Sequence, residues 1–482
     1  MRHQSSPAKR KAAAKRKALI RQRALACSTT STASRSPKRG SSAKQVVPAT
    51  SNSFVQALRQ HLPTRLINRL ARQTGFQQRQ AKKLSPTNFL LSATLLITQS
   101  TLSLRTWAVL IGWIIQGTFT KQSLHERLNG SAVRFLEAIL QALLNSVGQL
   151  ASAPVPPSLA FFARVILHDS TCAKLSEKLA AAFPGPSNPK GTRPGMLKVQ
   201  AAYDLLAHTF VHFSLSSYCR NDQAASGDAL EYLRPRDLLV RDLGYFATAV
   251  LQRIDQLGAF FLSRLHANAT LYEKDGRSPF DLLDALRRQG RLDRRLRLGP
   301  AGLEVRVVAV PVPAAIAADR RGKARREAGR SQPSARRLAL LNWEIFITNV
   351  PTSVWSPRQV VQIYGLRWRI EIVFKAWKSH LHLRVLPQTG SALEIQAMVC
   401  AKLIFITLFD VCFWRPLLLA TCASKVPLAS LLNLADLVAH ALLTLVLEEL
   451  EIRLRPLLHQ QIQAHARHDK RRRQPLLALF QN

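Results

Sequence analysis

Three carboxylates and a run of basic residues have the types and spacing to do chemistry together. Asp169 follows the apolar run Val165-Ile166-Leu167-His168, and Asp242 follows Leu238-Leu239-Val240-Arg241. Each is therefore expected where a strand ends, and in α/β domains the carboxyl ends of strands open onto the crevice that holds the site. Glu371 lies further along, in a stretch of helical character. Three carboxylates on separate elements can hold two divalent ions about 4 Å apart, which activate an attacking oxygen and stabilise a leaving one at phosphorus. Taken singly, an Asp after a strand is more often a turn or helix cap, so its company has to decide.

That company is a helix expected from Ser356 to about His380, with Pro357 at a position that tolerates a missing amide donor. At about 100° per residue, Tyr364, Arg367, Glu371 and Lys378 fall within a sector of about 60°, and Lys375 falls beside it. Val373, Arg369 and Trp377 point away. One acid among several bases is a poor ion-paired solvent face and a good surface for phosphates, because Arg offers a planar fork, Lys a point charge and Tyr a hydroxyl donor.

The spacing Tyr364-x2-Arg367-x3-Glu371-x6-Lys378 resembles the signature of the insertion sequence four family of DDE transposases, and Tyr364-Gly-Leu-Arg-Trp-Arg-Ile-Glu-Ile-Val-Phe-Lys375 is similar throughout. Asp169-Ser170-Thr171 is similar to the family's first Asp motif, and Asp242-Leu243-Gly244-Tyr245 to its Asp-Arg-Gly-Tyr motif. Leu243 departs from the usual Arg, which leaves Asp237 as an alternative second acid. The long gap before Glu371, and Leu341 to Asn349 ahead of the helix, also match, so the resemblance covers about residues 120 to 385.

The resemblance implies an α/β fold: a ribonuclease H-like catalytic domain interrupted by a β-rich insertion, with helical N- and C-terminal regions. It implies that Asp169, Asp242 and Glu371 are catalytic and hold two Mg²⁺ ions, with Mn²⁺ able to substitute. Tyr364, Arg367, Lys378 and Lys375 would hold phosphates of double-stranded DNA, and Trp343 would stack a flipped base, although a core role for that Trp stands beside this one. The activity implied is binding of terminal inverted repeats, strand cleavage and strand transfer. Because two ends must be joined, a homodimer on paired ends is implied as well. The competing reading is a catalytically inactive or repurposed DNA-binding protein derived from a transposase. His168 and His208 stay out of the ligand set, since hard Mg²⁺ prefers oxygen, and Ser170 and Thr171 read as turn hydroxyls.

The elements that must position these groups follow from patterning. Residues 1–46 read as a basic disordered arm, and 47–152 as a helical DNA-binding domain with apolar residues at helical spacing. Ala153 to Pro157 marks a boundary. Residues 158–266 then read as the first part of the catalytic domain, with strands at Phe162–His168, Lys198–Tyr203, Phe210–Tyr218, Asp237–Arg241 and Phe260–Leu265, and a helix at Tyr245–Gln256. Residues 267–350 form the β-rich insertion, with strands at Leu303–Val310 and Trp343–Thr348 separated by a basic loop from Arg320 to Arg337. Residues 351–390 carry the catalytic helix, and 391–482 form a helical C-terminal region ending in the basic cluster Lys470–Arg473.

Composition narrows the classes of function. The chain has 482 residues, 47% of them hydrophobic, so it can bury a substantial core. Its 69 Lys and Arg against 28 Asp and Glu give a net charge of +41, which attracts polyanions through a salt-sensitive field. No acidic residue precedes Glu126, while 22 Lys or Arg do, which points that third toward nucleic acid phosphates. Six scattered cysteines lack zinc or redox spacing. No secretory signal is evident, and Phe89 to Phe119 is interrupted by Gln99, Ser100 and Arg105, so buried helices are expected there and no membrane partner. A cytoplasmic, nucleoid-associated protein is the expectation.

Overall fold

A computed structural model describes residues 54–453, apart from 81, 152–153, 188–190, 192, 301, 330, 388–389 and 425–429. The basic arm expected at 1–46 and the cluster Lys470–Arg473 lie outside the described residues.

Among the described residues six α-helices come first: α1 Phe54–His61, α2 Thr64–Gln73, α3 Pro86–Thr94, α4 Leu104–Ile114, α5 Lys121–Arg127 and α6 Gly130–Val147. Ser85, Ser103, Thr120 and Asn129 each accept a backbone N–H at a helix start, satisfying donors that the first turn leaves unpaired. The apolar stretch from Phe89 thus folds as buried helices, as its interruptions required.

Among the described residues nine strands follow, and all of them join one sheet in the order β3-β2-β1-β4-β5-β9-β8-β7-β6. They are β1 Arg164–Leu175, β2 Gly195–Asp204, β3 Thr209–Ser217, β4 Asp237–Arg241, β5 Phe260–Arg264, β6 Leu271–Tyr272, β7 Leu292–Leu298, β8 Leu303–Pro311 and β9 Trp343–Thr348. β1, β4 and β5 run parallel, and every other neighbouring pair is antiparallel. Helix α7 (Thr248–Gln256) connects β4 to β5, as a parallel pair requires. Segment 267–350 supplies β6 to β9, which continue the sheet, together with α8 (Leu282–Gln289), α9 (Ala314–Glu327) and α10 (Ala335–Leu340).

Four expectations are corrected. β1 does not stop at His168: it pairs with β2 from Ile166 to Leu175, which puts Asp169 inside a strand. The basic stretch from Arg320 is no loop, because the alanine-rich run at its start favours a helix and α9 continues to Glu327. Its Arg320 and Arg321 are tied to Glu344 and Asn342. The single helix expected from Ser356 to His380 is two, α11 (Pro357–Gly365) and α12 (Trp368–Ser379). Between them the bonds tighten to i→i−3, from Arg367 to Tyr364 and from Ile370 to Arg367, at a glycine that weakens the α-helix. The expected helix at Tyr245 also begins later, at Thr248, because Tyr245 sits in a short 3₁₀ turn with its ring buried.

α13 (Ala392–Phe409), α14 (Arg415–Ser424) and α15 (Leu431–Glu449) complete the described chain. A capping box of Ser391 and Glu394 starts α13. By length and composition Ala392–Ala420 and Leu431–Glu449 could each cross a bilayer, but most of the first lies inside the protein. The larger core joins residues of α1 to α6, α12 and α13 to Val165, Leu167, Leu238 and Val240 on one face of the sheet. A smaller core on the other face gathers Ile166, Leu239, Leu251, Leu286, Val305 and Ile347.

Candidate active site

The sheet register brings the two aspartates together. β1 and β4 are paired in parallel up to His168 opposite Arg241, and the next residue on each chain is Asp169 and Asp242. Alternation along β1 puts Asp169 on the face of Val165 and Leu167, toward the larger core that also holds Ile370, Val373 and Phe374 of α12. His168 goes to the opposite face, fully buried, with its ring 4.6 Å from that of Tyr245. Asp242 begins the 3₁₀ turn Leu243–Tyr245 without a side-chain cap bond, so its carboxylate is not spent on capping. Glu371 lies in the first turn of α12, where the helix dipole favours a negative charge.

All three carboxylates meet at one guanidinium. Arg367 Nη1 lies 3.3 Å from Asp169 Oδ2, Nη2 2.8 Å from Glu371 Oε1, and Nε 3.9 Å from Asp242 Oδ1. The Tyr364 hydroxyl donates to Asp242 Oδ1 at 3.3 Å. Its ring is buried against Phe346, with the Arg264 guanidinium 5.4 Å above its centre. Lys378 is half-buried beside Arg384, Cys172, Asp169 and Glu371, and Lys375 is exposed. Val373 and Trp377 point into the core, while Arg369 is exposed.

The electrostatics follow from this crowding. Burial pushes the Asp169 carboxyl up to about 6; the Ser170 N–H and Arg367 oppose that, while Asp242 and Glu371 add to it. Burial likewise pushes the Tyr364 hydroxyl up to about 12, so it stays a proton donor. For Lys378, burial and then Arg384 lower the pKa, against the pull of the carboxylates. Burial works against the charge of Arg367, but Asp242, Tyr364, Asp169 and Glu371 outweigh it and hold the group protonated.

The donor set fits a hard divalent cation: three carboxylates, all oxygen, turned toward one positive centre. Arg367 is that centre here. Among the described residues, no group of three or more His, Cys, Asp or Glu side chains is gathered tightly enough to hold a metal ion by itself, and the guanidinium lies among the three carboxylates.

Asp237, the alternative second acid, is engaged elsewhere. It starts β4, is fully buried, and takes a two-pronged ion pair from Arg164 plus the Arg234 N–H. Trp343 is half-buried, and its indole N–H donates to the Gly290 carbonyl at 2.7 Å. It packs with the smaller core, and no contact joins it to the three carboxylates among the described residues.

Several residues at the site escaped the sequence reading. Arg264 ends β5, the parallel neighbour of β4, so the strand-end rule that singled out Asp242 could have found it. Asp222 had no local signal, since it sits in a loop. Its Oδ1 accepts from Ser170 Oγ at 3.0 Å and Lys198 Nζ at 3.1 Å, while the Ser170 N–H donates to Asp169 at 2.8 Å. Ser170 is thus a clamp between the two acids and not a free turn hydroxyl. Arg384 stands on a loop held by Lys402, whose buried ammonium donates to the carbonyls of His382 and Val385.

Comparison with known proteins finds a match over residues 160–406 to a family described as the transposase DDE domain. The transposase for insertion sequence element IS231D of Bacillus thuringiensis subsp. finitimus is 30% identical over 353 residues, 68% of this chain and 72% of that one. That for IS231C of Bacillus thuringiensis subsp. berliner is 29% identical over 380 residues, 73% and 78% of the two chains. That for IS1151 of Clostridium perfringens is 28% identical over 281 residues, 54% and 59%. The matched span includes all three carboxylates and the helix pair that carries Glu371.

Proposed function

The chain belongs to the DDE transposases of insertion sequences, and from that membership we propose that it binds terminal inverted repeats of DNA and moves its element by cut and paste, through metal-dependent strand cleavage and strand transfer. Enzymes of this family generally depend on divalent metal ions and are built on a ribonuclease H-like fold. The observation that supports this reading most is the convergence of Asp169, Asp242 and Glu371, from two strands and a helix, on one guanidinium.

In this reading the three carboxylates hold two Mg²⁺ ions, replaceable by Mn²⁺, which when bound activate the attacking oxygen and stabilise the leaving oxygen of an in-line displacement. The chain's own side chains do the rest. Asp169, Asp242 and Glu371 concentrate negative charge at one partly buried point. Arg367 offers its fork to a phosphate, Lys378 and exposed Lys375 add point charges, and the Tyr364 hydroxyl donates a hydrogen bond. Arg264 and Arg384 extend the same positive rim. Trp343 stays in the proposal as a base-stacking residue only on condition that its bond to Gly290 can open. Two copies of the chain on paired ends would complete the reaction, in the cytoplasm on nucleoid DNA and without a membrane partner.

The test is strand cleavage of a duplex carrying the element's inverted repeats, with Mg²⁺ or Mn²⁺. The unmodified chain should nick at the repeat end, and Asp169→Ala, Asp242→Ala and Glu371→Ala should each abolish nicking while retaining binding. An unmodified chain that binds the repeats and nicks nothing would favour a DNA-binding protein without catalysis.

A further inference from the structure

We propose that Arg367 is an internal competitor of the divalent ions: it pairs with Asp169, Asp242 and Glu371 until a DNA phosphate draws its guanidinium away, so that metal loading follows DNA binding. This rests on the metal-dependent reading above and adds to it a coupling between the two ligands.

Geometry carries the argument. One guanidinium addresses all three carboxylates at 2.8, 3.3 and 3.9 Å, and its side chain is only 15% exposed, so bulk salt screens these pairs weakly. A divalent ion coordinates oxygen at about 2.0 to 2.6 Å and needs the same lone pairs that the Arg367 N–H groups now face. Ion and guanidinium, both cationic, cannot share that point without strong repulsion. One of them must leave.

The guanidinium has somewhere to go. Arg367 sits at the joint between α11 and α12, where Gly365, Trp368 and Arg369 are exposed, so a short swing takes its fork from the carboxylates to a phosphate lying along that surface. Other charged groups border the site, but none is placed as Arg367 is. Arg264 stacks on Tyr364 and pairs with Glu344, and Lys378, although it stands near Asp169 and Glu371 as well as Cys172 and Arg384, forms no ion pair with either carboxylate among the described residues. Removing Arg367 from the carboxylates leaves three negative charges to be met by metal, which is the condition for tight ion binding. By linkage, metal must tighten DNA binding by the factor by which DNA tightens metal binding.

The experiment measures Mn²⁺ affinity of the full chain by calorimetry and by the free-ion electron paramagnetic resonance signal, with and without a duplex of the terminal repeat. Without DNA, Arg367→Gln should bind Mn²⁺ about tenfold tighter or more than the unmodified chain, because a full charge leaves the site, and Arg367→Lys should lie between them. Adding the duplex should tighten Mn²⁺ binding by the unmodified chain and leave Arg367→Gln unchanged. Asp169→Asn fixes where the ion sits. If Asp169→Asn loses Mn²⁺ while Arg367→Gln binds no tighter, the competition is refuted and the metal-site reading stands. If Asp169→Asn binds as the unmodified chain does, both fall. Should Arg367→Gln fail to melt cooperatively, Arg367→Met, which also removes the charge, decides in its place: an affinity equal to that of the unmodified chain refutes the competition.

Discussion

Asp237 and Asp242 lie five residues apart and differ in what surrounds them, which makes them a matched pair for separating stability from chemistry. Asp237 is buried in a two-pronged pair with Arg164, and removing one partner strands a buried charge, a loss of about 3–5 kcal/mol. Asp242 has a side chain 48% exposed, so Asp242→Ala should leave the denaturant midpoint nearly unmoved while abolishing cleavage. Chemical denaturation of Asp237→Ala and Asp242→Ala tests this: the reverse order of stabilities would mean the two roles are exchanged. At this scale the sequence was legible in type and partly in place. It named Asp169, Asp242 and Glu371, and helical spacing put Tyr364, Arg367 and Lys378 on one side of Glu371. It left Arg367 facing phosphate, because spacing tells which residues share a face and nothing of the two aspartates, one of them 198 residues away, that the β-sheet register brings to the same point.

Elements position these residues through contacts distant in sequence, and that is where local patterning fell short. The polar run from Asp169 looks like a turn and predicts that β1 ends at His168, yet β2 pairs with it to Leu175. The turn from β2 into β3 contains His208 at φ +54°. Burial, followed by Arg415 and Arg369, pushes its pKa down to about 4 from the ordinary 6.5. A depressed histidine contributes stability that is present above pH 6.5 and lost as pH falls through 4, because the fold resists its charging. His208→Asn keeps a residue tolerant of positive φ and should flatten the stability of the chain between pH 6.5 and 4, as followed by urea midpoints. An unchanged slope would show that this imidazole is not the titrating group. The start of α11 offers a second measurement. Ser356 caps it in a capping box with Gln359, so Ser356→Ala should cost about 1 kcal/mol and, by loosening the helix pair that carries Arg367 and Glu371, lower cleavage more than repeat binding.

At the scale of the whole molecule, the N-terminal and C-terminal helices share one core with the catalytic face of the sheet, as Phe54 against Phe405 at 5.6 Å illustrates. Composition indicates a large core but not this sharing, because helical periodicity shows that a face is buried and not against what. The net charge of +41 makes binding to DNA strongly dependent on salt, with each phosphate contact adding about 0.9 to the slope of log K against log salt. Lys378→Ala should lower that slope by about one contact, and a slope unchanged at every salt concentration would remove Lys378 from the phosphate surface. Whether the three carboxylates meeting at Arg367 carry phosphoryl transfer is decided by single-turnover cleavage of a repeat-bearing duplex by Glu371→Gln beside the unmodified chain, with duplex binding measured on the same samples. Cleavage should fall about a thousandfold or more, as expected for an essential metal ligand, with binding retained. Cleavage within about tenfold of the unmodified rate, less than 1.4 kcal/mol of barrier, would contradict that role.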